Sequence, residues 1–274
     1  MSHHLTYQGH RIFVESQGSG EPLVFLHGWP TNSLLWKKQL ETFRHTHQVI
    51  APDWLGFGKS DKPADFPYSF TEKKKMLDAI IQETVGDQNS LTLIAHDIGG
   101  PAAILWASEH PKRVKRLILL NTVLYTLKTP MDAMSEVLFS TPGLKHLLLS
   151  PFGLRYILRS NTRSKRPQLN SRVKEILTDF QHTSISHKRN AIHHPMSEGR
   201  KHELQTLAEI FKKIAVEKHL IIAKEDPLCY AHVRKLSQEN PEVPVHHIEK
   251  CGHFIPLDRP EQLTEVLKGI LANS

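Results

Sequence analysis

An aspartate stands at the apex of Ser90-Leu-Thr-Leu-Ile-Ala95-His96-Asp97-Ile98-Gly99-Gly100-Pro101, where an apolar run gives way to a helix start. Small residues two positions before and after it, Ala95 and Gly99, allow the sharp reversal that pushes one side chain outward. Such an apex more often carries serine, whose alkoxide attacks acyl carbon. A carboxylate attacking an ester would form an anhydride, a poor route. Attacking a saturated carbon, it forms an alkyl ester, which water then cleaves at the carbonyl of Asp97. The leaving group therefore departs from an sp3 carbon, as a halide or an epoxide oxygen. Asp97 is ionised at neutral pH and needs no base for attack; a base is needed only to activate the water. An aspartate at a helix start also serves as an N-cap. The spacing Ala-x-Asp-x-Gly after an apolar strand, together with the partners below, favours the reactive reading.

That base is His253, in Cys251-Gly252-His253-Phe254. Among 19 histidines it is distinguished by a preceding glycine, a strand that feeds it, and a place after the nucleophile in chain order. The acid that orients it comes from Lys224-Glu225-Asp226-Pro227. Asp226 is preferred over Glu225 because the acid usually lies a few residues beyond the strand end. Asn121 occupies the corner where an alternative acid could sit. His27-Gly28-Trp29-Pro30 follows another apolar strand, and the backbone N–H of Trp29 pairs with that of Ile98 as an expected oxyanion hole. Asp53, in a Gly-rich turn, reads as a loop anchor; its glycines are not spaced to cradle a nucleotide phosphate. The pairs His3-His4, His193-His194 and His246-His247 lack partners at ligand spacing, so neither metal nor cofactor is expected.

These residues need a scaffold that delivers them to one edge. Alternating segments at 5–8 and 11–15 flank Gly9-His10 and predict a hairpin. Strands are expected at 22–26, 48–51, 91–95, 114–120, 220–223 and 245–248, and helices at 34–43, 70–85, 101–109, around 230–239 and at 260–271. Strands alternating with helices imply a mostly parallel sheet flanked by helices, with reactive residues on loops at the carboxyl ends of the strands. The pattern breaks between 125 and 205, which predicts an insert between two core segments, 1–124 and 206–274. No internal repeat or low-complexity stretch is present.

At 274 residues the chain is long enough for one core plus an insert. Its 39% apolar and 23% charged composition fits a soluble globular protein. No run is long enough to span a bilayer, and no secretory signal is visible at Met1 to Leu5. Cys229 and Cys251 are too few for a disulfide framework, so a reducing cytoplasm is the expected compartment. The net charge of +7 is local: residues 128–213 hold 15 Lys and Arg against 7 Asp and Glu, while the rest has 35−15 = 20 basic and 28−7 = 21 acidic residues. This distribution argues against nucleic acid as a partner. It leaves a solvated face, steering of an anionic substrate, or weak contact with an anionic membrane through 145–149 and 154–159.

Together, His27-Gly28-Trp29-Pro30, the apex at Asp97, Asp226 and Gly252-His253-Phe254 resemble the α/β-hydrolase branch of epoxide hydrolases and haloalkane dehalogenases. The resemblance covers 1–124 and 206–274 and is weak in the insert, 125–205, which it implies is a helical cap. It implies an α/β-hydrolase fold, no cofactor, a small and largely apolar substrate, and a monomer or homodimer. Dehalogenases of this type usually hold the halide with a tryptophan directly after the nucleophile; here Ile98 follows it, and the insert has no tryptophan. Epoxide hydrolases usually protonate the epoxide oxygen with cap tyrosines, for which Tyr125, Tyr156 or His146 are the candidates here. The Gly-Gly-Pro after Asp97 and the Asn121-Thr122 corner are closer to dehalogenases. An epoxide needs one acid, whereas a halide needs its donors, so epoxide opening is expected, with dehalogenation as the alternative. A catalytically silent binding protein is the reading from another class; an intact Asp97, His253 and acid argue against it.

Overall fold

The computed structural model describes residues 2–87, 89–125, 141–164, 168–181, 203–204 and 206–272. The opening alternation of apolar and polar residues forms a hairpin of β1 (Ser2–Tyr7) and β2 (His10–Gln17), with Leu5 opposite Ile12. Gln8 and Gly9 turn it, at φ 49° and 81°. A two-residue turn wants both central residues left-handed, and this takes Gln8 out of the strand where it was expected.

Six further strands follow: β3 (Pro22–Leu26), β4 (Gln48–Pro52), β5 (Leu91–Asp97), β6 (Val114–Thr122), β7 (Glu217–Ala223) and β8 (Val245–Ile248). They form one sheet in the order β1-β2-β4-β3-β5-β6-β7-β8, antiparallel through β2 and parallel from β4 onward. Every residue of β3 and β5 is buried, as central strands covered on both faces require. β3 has β4 on one side and β5 on the other, so the chain changes winding direction there. In open α/β sheets the crevice at such a switch, outside the carboxyl ends, is where ligands bind. Asp97 lies at the end of β5, and the His27 to Pro30 loop leaves the end of β3.

α1 (Lys37–Phe43) is shorter than the single helix expected over 34–43. Asn32 accepts a hydrogen bond from the Leu34 amide and starts a 3-10 turn, Ser33–Trp36, ahead of it. α2 (Phe70–Thr84) is N-capped by Ser69, whose side chain accepts from the Glu72 amide, and it buries Met76, Leu77, Ile80 and Ile81 as one apolar stripe. α3 (Gly99–Glu109) begins two residues before the expected start, directly beyond the turn that carries Asp97.

Between β6 and β7 the chain forms α4 (Pro142–Leu149), α5 (Pro151–Ser160) and α6 (Gln168–Gln181), helices where the insert was expected. The rest of the expected insert, 126–140, 165–167, 182–202 and 205, lies outside the described residues. α7 (Leu207–Lys213), α8 (Tyr230–Glu239), α9 (Ile255–Asp258) and α10 (Pro260–Ala272) complete the layers. Among the described residues no helix is long and apolar enough to cross a membrane. Cys229 and Cys251 are buried, and neither forms a disulfide among the described residues.

Candidate active site

Asp97 adopts φ 52°, in the left-handed region. A non-glycine residue there stores roughly 1–3 kcal/mol of strain. Two hydrogen bonds oppose it: Thr122 Oγ1 donates to the Asp97 carbonyl at 2.7 Å, and the Trp29 amide donates to Asp97 Oδ1 at 2.9 Å. A bond to a charged group contributes about 1.5–3 kcal/mol, enough to offset the strain. Space for the reversal comes from glycines. A Cβ on Gly28 would collide with the Asp97 side chain, one on Gly100 with Thr122, and one on Gly99 would lie 2.8 Å from the Leu26 carbonyl oxygen. The carboxylate does not cap α3; Ile98 is the N-cap residue, with no side-chain cap bond.

The two carboxylate oxygens have different surroundings. Oδ1 faces the Trp29 amide, while Oδ2 lies 3.6 Å from His253 Nε2. Buried Ile98, the other expected oxyanion donor, starts α3, whose first amides have no partners within the helix and whose positive end favours negative charge at Asp97. His253 Nδ1 meets Asp226 Oδ2 at 3.0 Å, and the Leu228 amide donates to Asp226 Oδ1 at 2.8 Å. Because Nδ1–H donates to this carboxylate, the neutral imidazole has its Nε2 lone pair toward Asp97. Burial opposes charging of His253, but Asp226, by charge and hydrogen bond, and then Asp97 outweigh it, so its pKa lies above the ordinary histidine value. Glu225, the other candidate acid, points elsewhere: its carboxylate pairs with Arg163 at 3.1 Å.

A shell of buried polar groups holds these loops. The Trp54 amide donates to His27 Nε2 at 3.1 Å, so Nδ1 carries the proton and donates to the Gly28 carbonyl at 3.0 Å. Burial pushes the His27 pKa down to about 3, which keeps this neutral tautomer. Asp53 is the loop anchor expected of it, accepting from the amides of Ser33 (2.7 Å) and Lys59 (2.8 Å).

Three supporting residues were not singled out for this role from the sequence. His96 Nε2 and Asn121 Nδ2 both donate to the His253 carbonyl, at 2.9 and 3.1 Å, and Asn121 Oδ1 accepts from the Ala223 amide. Burial, then the neighbouring His253, holds the His96 pKa at about 4, so His96 is neutral. Asp258 accepts from the amides of Gly252 and Arg163, each at 2.7 Å, while the His253 amide donates to the Asn161 carbonyl at 2.8 Å. The segment 161–163 is thereby tied to the loop that carries His253. The signals were faint: a polar residue beside the apex, one at a strand end, and an aspartate soon after the histidine.

The expected leaving-group donors are not brought to Asp97. Tyr125 donates its hydroxyl to Glu239 at 2.6 Å, and Lys235 lies 4.3 Å from its ring centroid. Tyr156 on α5 is 64% exposed, and His146 on α4 is exposed as well. Cys229, for which the sequence suggests no site role, places Sγ 3.9 Å from Asp97 Oδ2. Asp97, Cys229 and His253 hold ligand atoms within 4.8 Å of one another, a group that could hold a soft divalent cation. Its members lie far apart in the chain, so ligand spacing along the sequence does not reveal it, and the expectation was of no metal. A cation bound there would occupy Asp97 Oδ2.

A family model described as alpha/beta hydrolase fold matches residues 21–260. A cis-3-alkyl-4-alkyloxetan-2-one decarboxylase of Shewanella oneidensis is 28% identical over 99% of this chain and 88% of its own. A soluble epoxide hydrolase of Corynebacterium sp. is 26% identical over 94% of this chain and 93% of its own. A haloalkane dehalogenase of Agrobacterium fabrum is 36% identical, over only 42% of this chain and 37% of its own. In fold, the chain superposes on a haloalkane dehalogenase from Agrobacterium tumefaciens C58 with TM-score 0.80 at 23% identity, covering 100% of this chain and 96% of that one.

Proposed function

This chain belongs to the alpha/beta hydrolase fold family, and on that premise we propose that it opens a strained oxygen ring through a covalent ester on Asp97, an epoxide being the first substrate class. Asp97 Oδ2 attacks a saturated ring carbon, the carbon–oxygen bond breaks, and the oxygen leaves as an alkoxide that takes a proton from solvent water. His253 then removes a proton from water, which adds to the Asp97 carbonyl carbon. Charge develops on Oδ1, where the Trp29 and Ile98 amides receive it. Collapse expels the product oxygen, which takes the proton back from the His253 imidazolium that Asp226 steadies; the diol leaves, and Asp97 gives its remaining proton to solvent to restore the carboxylate.

The observation that carries this reading is the split environment of one carboxylate: Oδ1 is 2.9 Å from a backbone donor and Oδ2 is 3.6 Å from the base. A ring oxygen is preferred over halide because Ile98 supplies no side-chain donor beside the nucleophile. Two relatives that align in sequence along nearly the whole chain support it, being named for oxetanone and epoxide chemistry.

The first of those relatives favours a second reading, a 3,4-dialkyl-oxetan-2-one. Attack at C4 would displace the ring carboxylate, an anion stable without a proton donor. Loss of CO2 from that carboxylate then supplies the electron pair that forms the C=C bond and expels Asp97. No water enters.

Single-turnover reactions in H2(18)O test both readings. With an epoxide, the first diol takes unlabelled oxygen from Asp97, and the peptide containing Asp97 gains 18O. With an oxetanone, alkene and CO2 form and Asp97 stays unlabelled. Label in the first diol with an unlabelled enzyme would mean direct attack by water and would end the proposal. An inert panel would favour the binding-protein reading.

The same chemistry fixes a pH dependence. Ester hydrolysis needs His253 Nε2 unprotonated, so kcat falls on the acid side. In the resting site the histidine pKa is raised by Asp226 and then Asp97. The ester removes the Asp97 charge, so the acid limb of kcat is expected below the pKa of His253 in the free enzyme. A pH profile of kcat beside an NMR titration of His253 checks this; a kcat that rises on acidification contradicts it.

A further inference from the structure

We propose that the α4–α5 hairpin docks this protein on an anionic lipid bilayer. The exposed large apolar side chains among the described residues all fall on these two helices: Leu144 (41%), Leu147 (59%), Phe152 (75%) and Tyr156 (64%). Scattered exposed apolar residues are ordinary; four within thirteen positions of one hairpin form a patch.

α5 shows how the patch is held. Leu154 and Leu158 are fully buried and fix the helix to the body of the protein. Phe152, Arg155, Tyr156 and Arg159 recur at i, i+3, i+4 and i+7, which makes a second stripe facing outward. That stripe combines aromatic rings with arginines, a pairing suited to a membrane interface. The rings enter the boundary between headgroups and acyl chains, while the guanidinium groups reach back to lipid phosphates.

Charge decides between a bilayer and a second copy of the chain. From Val137 to Lys174 there is no acidic residue, against eight Lys and Arg. A symmetric dimer through this face would set that basic stretch against itself, and like charges across an interface repel. An anionic bilayer offers both the complementary charge and an apolar layer. Docking here would also present the active site to the membrane, because Asn161, next after α5, accepts the His253 amide at 2.8 Å. A largely apolar substrate could then enter the site from the lipid phase.

Sedimentation with vesicles of phosphatidylcholine, with and without phosphatidylglycerol, tests the proposal. The protein is expected to pellet with the phosphatidylglycerol vesicles at low salt and much less at high salt, where charge is screened within a few ångströms. A Leu147→Ser/Phe152→Ser variant removes two exposed side chains and is expected to partition at least about tenfold more weakly, from the apolar area withdrawn. Its melting temperature and its turnover of a water-soluble substrate should be unchanged. Absence of binding to phosphatidylglycerol vesicles, or equal binding by the variant, would overturn the proposal. So would a wild-type dimer that the variant converts to monomer, which would assign the patch to a second copy. Sedimentation reads docking directly, so it stands or falls separately from the chemistry at Asp97.

Discussion

Asp97→Ala is expected to lower turnover by at least about 10^4-fold, as removal of a nucleophile does in enzymes that form covalent intermediates. The melting temperature should move by no more than about 4 °C, a change of roughly 1 kcal/mol in a chain of this size. The two readouts separate the roles open to an aspartate at a helix start. A capping aspartate would lose about 1 kcal/mol of stability on truncation and leave activity nearly intact. This carboxylate makes no cap bond to α3; it accepts from the Trp29 amide and faces His253 instead. Alanine at φ 52° remains strained by about 1–2 kcal/mol, but the buried negative charge is gone, so the two effects oppose each other. Initial rates beside thermal denaturation check the prediction, and a variant within tenfold of wild-type turnover would remove Asp97 from the mechanism.

What could be read from the sequence was what local spacing controls. A strand, a tight turn flanked by small residues and a helix can form only one kind of apex, and the clashes a Cβ would meet at Gly28, Gly99 and Gly100 show why those positions are glycine. The apolar runs at 22–26 and 91–95 could serve only as covered central strands, and both are fully buried. Helix starts were less legible. Asn32 diverts the chain into a 3-10 turn before α1 through one side-chain bond, and α3 begins as soon as the apex turn ends, earlier than Pro101 suggested.

Side-chain direction was the part that local pattern does not encode. Tyr125 follows β6 closely, yet its hydroxyl is held by Glu239, more than a hundred residues onward on α8. Glu225 and Asp226 are neighbours, and the β7 exit turn sends one to Arg163, beyond α5, and the other to His253. The loop that carries His253 is held by His96 and Asn121 across separations of 157 and 132 residues. Such contacts exist only once the sheet has brought its strand ends together.

His253→Gln is expected to stop turnover halfway and to name the substrate class in doing so. Attack by Asp97 needs no base, so the ester still forms. Glutamine cannot take a proton from water, and loss of a general base slows that step by about 10^2–10^4-fold. The ester should therefore accumulate toward one per enzyme, visible by intact mass. With an epoxide the gain equals the whole substrate, because ring opening loses no atoms; with a haloalkane it equals the substrate less hydrogen halide. With a 3,4-dialkyl-oxetan-2-one the variant should keep turning over, since loss of CO2 expels Asp97 without water. Among the described residues nothing else stands ready to replace the base: His96 is neutral and turned to the His253 carbonyl, and Cys229 lies 3.9 Å from the oxygen that becomes the ester link. A variant with a clean mass and wild-type rates on all three classes would mean that His253 is not the base, despite its 3.0 Å contact with Asp226.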